Sequence, residues 1–238
     1  MEQSIFDIFG FSSQGWGRLL LASTGTTFAV AVCGLLTGGA FGALGCWAKI
    51  GGRKPQRVLA TAYTTVLRGI PELLVIYLFY FGGSTALTQI GKWLGASGFV
   101  GIPGTIAGVL AIGITSGAQL TEVFRGAHNA VNKGEIEAAV ACGMSRMLRL
   151  RRILIPLILR HAMPGIGNVW QMALKASALI SVTGVADLLS QAQIGANATG
   201  MPFDFFLAAA LLFLAVSACT GRGLRTAERF YSRGVRRQ

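Results

Sequence analysis

Residues 133–156 read KGEIEAAVACGMSRMLRLRRILIP. This charged, partly amphipathic stretch lies between long apolar runs, and it decides how the rest of the chain is read. A protein that only sits in a bilayer has no need of it. A protein that takes mechanical input from a cytosolic partner does. Asn132 can cap a short helix, with Glu135 three residues on as its reciprocal partner. Ile136, Ala139, Val140 and Gly143 then share one face. Glu135 and Glu137 are acids in an otherwise basic loop, and a short helix of small apolar residues suits docking into a groove on another protein. After Gly143, MSRMLRLRRILIP alternates bases with apolar residues, a pattern that lies along an inner leaflet. An interfacial helix with no partner explains Arg146 to Ile155 well. It does not explain the acid-and-alanine helix before it.

The surrounding chain has 238 residues, 53% hydrophobic and only 13% charged. That is too apolar and too poor in charge for a soluble domain, and it leaves no room for a separate soluble enzyme. We expect one all-α polytopic membrane domain over residues 1–238, with a cytosolic loop over about 125–160 and a basic tail over about 221–238. The four cysteines (Cys33, Cys46, Cys142, Cys219) are scattered without pairing or metal spacing and read as small core residues. His128 and His161 have no Cys or His nearby. No metal site and no catalytic set is expected. Glu2 and Asp7 stand where a signal peptide would carry a basic region, so the N-terminus does not read as one.

A bilayer core needs about 20 apolar residues as helix. The candidate spans are about Leu19–Trp47, Val58–Phe81, Pro103–Leu120, Pro164–Leu189 and Phe203–Cys219. Residues 92–101 and 191–202 read as external turns. The bases decide orientation. Lys49, Arg53, Lys54 and Arg57 lie between spans one and two. Arg125, Lys133, Arg146, Arg149, Arg151, Arg152 and Arg160 lie between three and four, and six arginines follow span five. By the positive-inside rule the N-terminus is periplasmic and the C-terminus cytosolic. The formal net charge of +12 therefore points to anionic lipid headgroups and not to nucleic acid. Gly34, Gly38 and Gly42 form a small-xxx-small row, which packs either within the chain or against a second subunit.

Three of these segments carry polar stripes. Thr61, Thr64, Thr65, Arg68 and Glu72 fall on one helical face; so do Thr115, Gln119 and Glu122; so do Asn168, Gln171 and Lys175, with Thr183 close and Asp187 further round. A charge at the bilayer centre costs at least about 2.5–3.5 kcal/mol. Such residues face one another or a water-filled path. Each one alone reads equally as a structural pair, Arg68 with Glu72 or Glu122 with Arg125. The three stripes together favour a translocation lumen. Pro71 removes a helix hydrogen bond and crowds the Leu67 carbonyl. A kink there puts Arg68 and Glu72 at a break, serving either as a gate or as a packing bend.

The cytosolic stretch also resembles the motif E-A-A-x3-G-x9-I-x-L-P of binding-protein-dependent ABC importer permeases. Glu137-Ala138-Ala139, Gly143, Ile153 and Pro156 match it, and Ile155 stands where the family has Leu. RGIPELLVIYLFYFG (68–82), TEVFRGA (121–127) and PGIGNVWQMALKASALISVTGVADL (164–188) are similar to the polar amino-acid branch, in particular to the Q-type permeases of histidine/lysine/arginine/ornithine and opine importers. Ala176 and Ala178 depart from the acid and hydroxyl that many amino-acid permeases carry there. The resemblance implies that residues around Glu135, Ile136, Glu137, Ala138, Ala139 and Gly143, with Pro156, couple to a cytosolic ABC ATPase dimer. It implies a related sister permease as the other half of a heterodimer, and a periplasmic solute-binding protein delivering the amino acid. It places the chain in the bacterial inner membrane, with cationic or zwitterionic amino acids or opines as cargo. For a cationic solute Glu72 is the better-placed acid, Glu122 lying near the cytosolic end; Lys175 and Asn168 are candidates for a carboxylate. The chain has no GxxxxGK[ST] phosphate loop, so ATP and Mg belong to the partner ATPase and the chain itself is not an enzyme. An ATP-independent carrier or channel is the alternative, but no internal repeat of the kind carriers show is present.

Overall fold

The computed structural model describes residues 8–11, 15–95 and 98–231. Glu2, Asp7, Arg233, Arg236 and Arg237 lie outside these. Among the described residues the regular elements are all helical: α1 (Gly17–Gly51), α2 (Lys54–Gly69), α3 (Glu72–Trp93), α4 (Gly104–Ala130), α5 (Lys133–Ala141), α6 (Arg146–Thr183), α7 (Leu188–Thr199) and α8 (Pro202–Tyr231). Helices α1, α3, α4 and α8 are each long and apolar enough to cross a membrane. The α6–α7 pair, bent by 53° at its break, makes a fifth crossing if it is one span. At 35 residues, α1 extends about 52 Å at 1.5 Å per residue, well beyond a hydrocarbon core of about 30 Å. Large apolar side chains such as Leu36, Leu44, Leu211 and Leu214 stand exposed, as lipid-facing residues do in a protein whose solvent is a bilayer.

Two expected spans differ from the structure. Val58–Phe81 is not one helix. Ile70, just before a proline, is pushed out of the helical region to φ −95°, ψ 135°, because the proline ring clashes with a helical neighbour. Pro71 then opens α3, so the apolar helix is Glu72–Trp93. The break also removes the i, i+4 register that an Arg68–Glu72 pair requires. The fourth expected span, Pro164–Leu189, is cut at residues 184–187, and residues 191–202 are not a turn: most of them form α7. Gly184, at φ +77°, ends the last turn of α6 in a left-handed conformation that costs glycine nothing. Asp187 then caps α7, accepting from the Ser190 and Leu189 amides.

The chain divides into two compact units. The first comprises Met1–Gly34, Pro71–Ile112 and Ala173–Ala218; the second comprises Leu35–Ile70, Gly113–Met172 and Cys219–Gln238. In the first, Val30, Val75, Ile76, Ala111, Ile112 and Ile180 pack into one apolar cluster. A second cluster centres on Phe205, which meets Trp16 edge-on at 5.6 Å. The Leu188 amide donates to Thr27 Oγ1 at 3.0 Å, tying the start of α7 to α1. Ser84 Oγ and Thr88 Oγ1 accept from the Ile102 and Val100 amides and hold the returning chain on α3.

In the second unit α1 and α4 meet along glycines. A Cβ on Gly38, Gly42 or Gly45 would come within 2.9, 2.6 and 2.3 Å of Ser116, Leu120 and Thr121. The small-residue row thus packs within the chain at Gly38 and Gly42, which is the first of the two readings left open above. Tyr63 donates to the Ile114 carbonyl at 2.7 Å, and the Trp170 indole donates to Thr220 Oγ1 at 2.9 Å. Charge divides sharply between the units. Only Arg18, Lys92 and Lys175 of the 21 basic residues fall in the first unit's ranges, leaving 18 in the second.

Candidate functional site

Helix α5 is built by its two ends. Asn132 is extended, at φ −67° and ψ 128°, and its side chain accepts from the Gly134 amide at 2.9 Å. That satisfies one of the donors a helix start leaves open. The reciprocal half of the expected capping box is not formed: Glu135 reaches back only through its backbone amide, to the Asn132 carbonyl. At the other end Gly143 sits at φ +73°. Its amide bonds the Val140 carbonyl at 2.9 Å, and the Met144 amide bonds Ala139 at 3.1 Å. This is a left-handed helix stop, for which glycine is favoured because it lacks a Cβ. A Cβ on Gly143 would touch nothing within 4 Å, so the requirement is conformational and not one of space.

The turn at Gly143 sends the chain back past its own helix. Ser145 caps the start of α6, accepting from the Leu148 amide. An open groove of about 480 Å3 results, lined by Glu135, Ala138, Ala139, Cys142, Met144, Arg152, Ile153, Pro156 and Leu157. The motif's two alanines, Ala138 and Ala139, and its Ile153 and Pro156, far apart in the motif, are thus two walls of one groove. Ala139 is buried and Ile136 half-buried, whereas Val140, expected on the same face, is exposed, as is Glu137. Val140 faces outward because the inward contact is made at i and i+3, with Gly143 already past the helix end.

The candidate pathway residues separate between the units. Glu72 and Lys175 belong to the first, half-buried and exposed respectively; Arg68, Gln119, Glu122, Asn168 and Gln171 belong to the second. Asn168 is exposed on α6 with its amide nitrogen 4.0 Å from Met172 Sδ. Gln119 and Gln171 are half-buried. Glu122 is fully engaged. One carboxylate oxygen holds the Lys49 ammonium, and the other accepts from Arg125 Nη2 at 2.7 Å and Nε at 3.0 Å. Lys49 also donates to Thr64 Oγ1 at 2.7 Å, and the Thr64 hydroxyl donates to the Thr61 carbonyl at 3.1 Å. Thr64, expected in the pathway stripe, is buried. From the sequence alone Lys49 reads only as an orientation signal. Its place in the row Gly38, Gly42, Gly45, Lys49, at steps of four, three and four, is the mark of its inward direction. Asp187 likewise belongs to a helix cap and not to a stripe.

Residues 34–229 match the family described as binding-protein-dependent transport system inner membrane component. The octopine transport system permease protein OccQ of Rhizobium meliloti is 49% identical over 230 residues, covering 97% of each chain. The histidine/lysine/arginine/ornithine transport system permease protein HisQ of Escherichia coli (strain K12) is 34% identical, covering 94% of this chain and 97% of its own. The crystal structure of an amino acid ABC transporter with histidines superposes with a TM-score of 0.75 at 29% identity, over 90% of this chain and 94% of that one.

Proposed function

The chain belongs to the inner membrane components of binding-protein-dependent transport systems, and on that premise we propose that it carries opines or basic amino acids inward. As a member it is a multi-pass inner-membrane permease subunit of an ABC importer, working with an ATPase and a binding protein and hydrolysing nothing itself. The observation that supports coupling through α5 is its groove, where Glu135, Ala138, Ala139, Ile153 and Pro156 converge. A short helix held at both ends, with exposed Glu137 and Val140 outward, suits seating in a partner ATPase. That ATPase supplies ATP and Mg. A related sister permease completes the pathway, and a periplasmic solute-binding protein feeds it. The bases between α1 and α2, between α4 and α6 and at the end of α8 support a cytosolic placement of those segments.

The 49% identity to an octopine permease, against 34% to a histidine/lysine/arginine/ornithine permease, favours an opine. Glu72 is the acid we assign to the solute's cationic group. It carries no ion pair among the described residues, whereas Glu122 carries two. Lys175 and Asn168, both exposed, are the candidates for a carboxylate, and Arg68, Gln119 and Gln171 are further candidates for the path. The test is a mild-detergent purification from the native membrane. A phosphate-loop ATPase and a second, similar permease are expected alongside the chain, and Gly143→Val is expected to lose the ATPase while inserting normally. Recovery of the chain alone would favour an ATP-independent carrier. Glu72→Gln is expected to change the affinity or selectivity of octopine and arginine uptake; unchanged values would remove Glu72 from the path.

A further inference from the structure

The α1–α4 seam ends in a lock. Gly38, Gly42 and Gly45 are buried and let the two backbones approach closely. One turn on, Lys49 replaces the glycine. Its side chain is only 10% exposed and that of Glu122 21%. An ion pair so sheltered is directional, and removing Glu122 leaves the Lys49 ammonium with no ion-pair partner among the described residues. Lys49 also reaches Thr64, so α1, α2 and α4 are joined at one point. Helix α4 runs unbroken to Ala130, and only Val131, which is buried, separates it from the cap of α5. All of these residues belong to the second unit.

We propose that Lys49, Glu122 and Thr64 form a transmission clamp, which makes α1, α2 and α4 move as one body with α5. Work done on α5 by the ATPase then reaches the helices of the pathway and is not lost in slippage between them. Lys49, Glu122 and Thr64 are positioning residues: they touch no solute and no nucleotide. Arg125 binds the same carboxylate from within α4 and is 43% exposed; among the described residues it ion-pairs with no second helix. The inference rests on the importer reading above.

The experiment uses the complete transporter in liposomes, with its binding protein, and labelled octopine and arginine as probes. Uptake and ATP hydrolysis are read in the same vesicles. Lys49→Met is expected to raise the ATP spent per solute at least about fivefold, the lower end of ordinary inter-site coupling, with the amount of bound ATPase unchanged. Thr64→Val should raise it less, and Lys49→Arg should hold it near the wild-type ratio. Arg125→Gln should leave it unchanged. A wild-type ratio in Lys49→Met, or an equal rise in Arg125→Gln, overturns the clamp. If Lys49→Met does not insert, Thr64→Val decides, and an unchanged ratio there overturns it. A wild-type complex with no ATP-driven uptake of either probe defeats the opine and basic amino-acid reading and the clamp argued on it; a working transporter with unaltered ratios defeats the clamp alone.

Discussion

Gly143 shows how a motif position acquires its identity. Nothing crowds it; what it supplies is a positive φ, which costs other L-residues roughly 1–2 kcal/mol. The order of tolerance should therefore follow left-handed propensity and not size. Gly143→Asn should retain more ATPase in co-purification than Gly143→Ala, and Gly143→Val least. Equal retention by Asn and Val would show that the glycine serves some other purpose. Asp187 is a second residue whose role is local. It is fully buried and holds two amides of α7. Losing an N-cap costs about 0.5–2 kcal/mol, so Asp187→Ala should lower the detergent-solubilised melting temperature while Asp187→Asn stays close to wild type. A lumenal acid would behave the other way, with Asn impairing uptake and stability unaffected.

At the scale of the element, the α1–α4 seam tests whether close approach or helix propensity governs the glycines. On Gly45 a Cβ would meet Thr121 Oγ1 at 2.3 Å, while Gly39, on the same helix, has nothing within 4 Å. Gly45→Ala should destabilise by about 1–3 kcal/mol through overpacking. Gly39→Ala should be neutral or stabilising, since alanine is the better helix former by about 1 kcal/mol. Thermal unfolding in detergent checks both, and Thr121→Ala should rescue Gly45→Ala by removing the Oγ1 and Cγ2 that its methyl would strike. The broken second span belongs to this scale too. Pro71 signalled a kink, and the chain answers with a full stop at Ile70 and a new helix. The reason is that the residue before proline is pushed out of the helical region as well as losing a bond after it.

For the whole molecule, the distribution of basic residues predicts sidedness. Gly95 follows α3 within the turn that holds Lys92, and exposed Cys142 ends α5. With Cys33, Cys46 and Cys219 changed to alanine and the ATPase not co-expressed, an impermeant maleimide should reach Cys142 only in inverted vesicles. Gly95→Cys, with Cys142 also removed, should react only in right-side-out cells. Labelling of both from one side would contradict the positive-inside assignment.

The sequence by itself determined the membrane class, the helical composition and the short helix at residues 133–141. Apolar run length, charge placement and cap residues are local properties, and the bilayer reads them segment by segment. The motif could also be seen as spaced residues, but not as a groove: that Glu135 and Pro156 line one cavity depends on the turn at Gly143 returning the chain. Glu122 shows the same limit. On its helix it shared a face with Gln119 and Thr115 and stood one turn from Arg125, and both readings were open. Lys49, far away in the chain, engages it. Partners across helices are chosen by which backbones can approach, and that approach is set by glycines packing against side chains more than seventy residues distant, as Gly45 does against Thr121. Only the tertiary structure decides such contacts, because no periodicity within one helix encodes the surface of another.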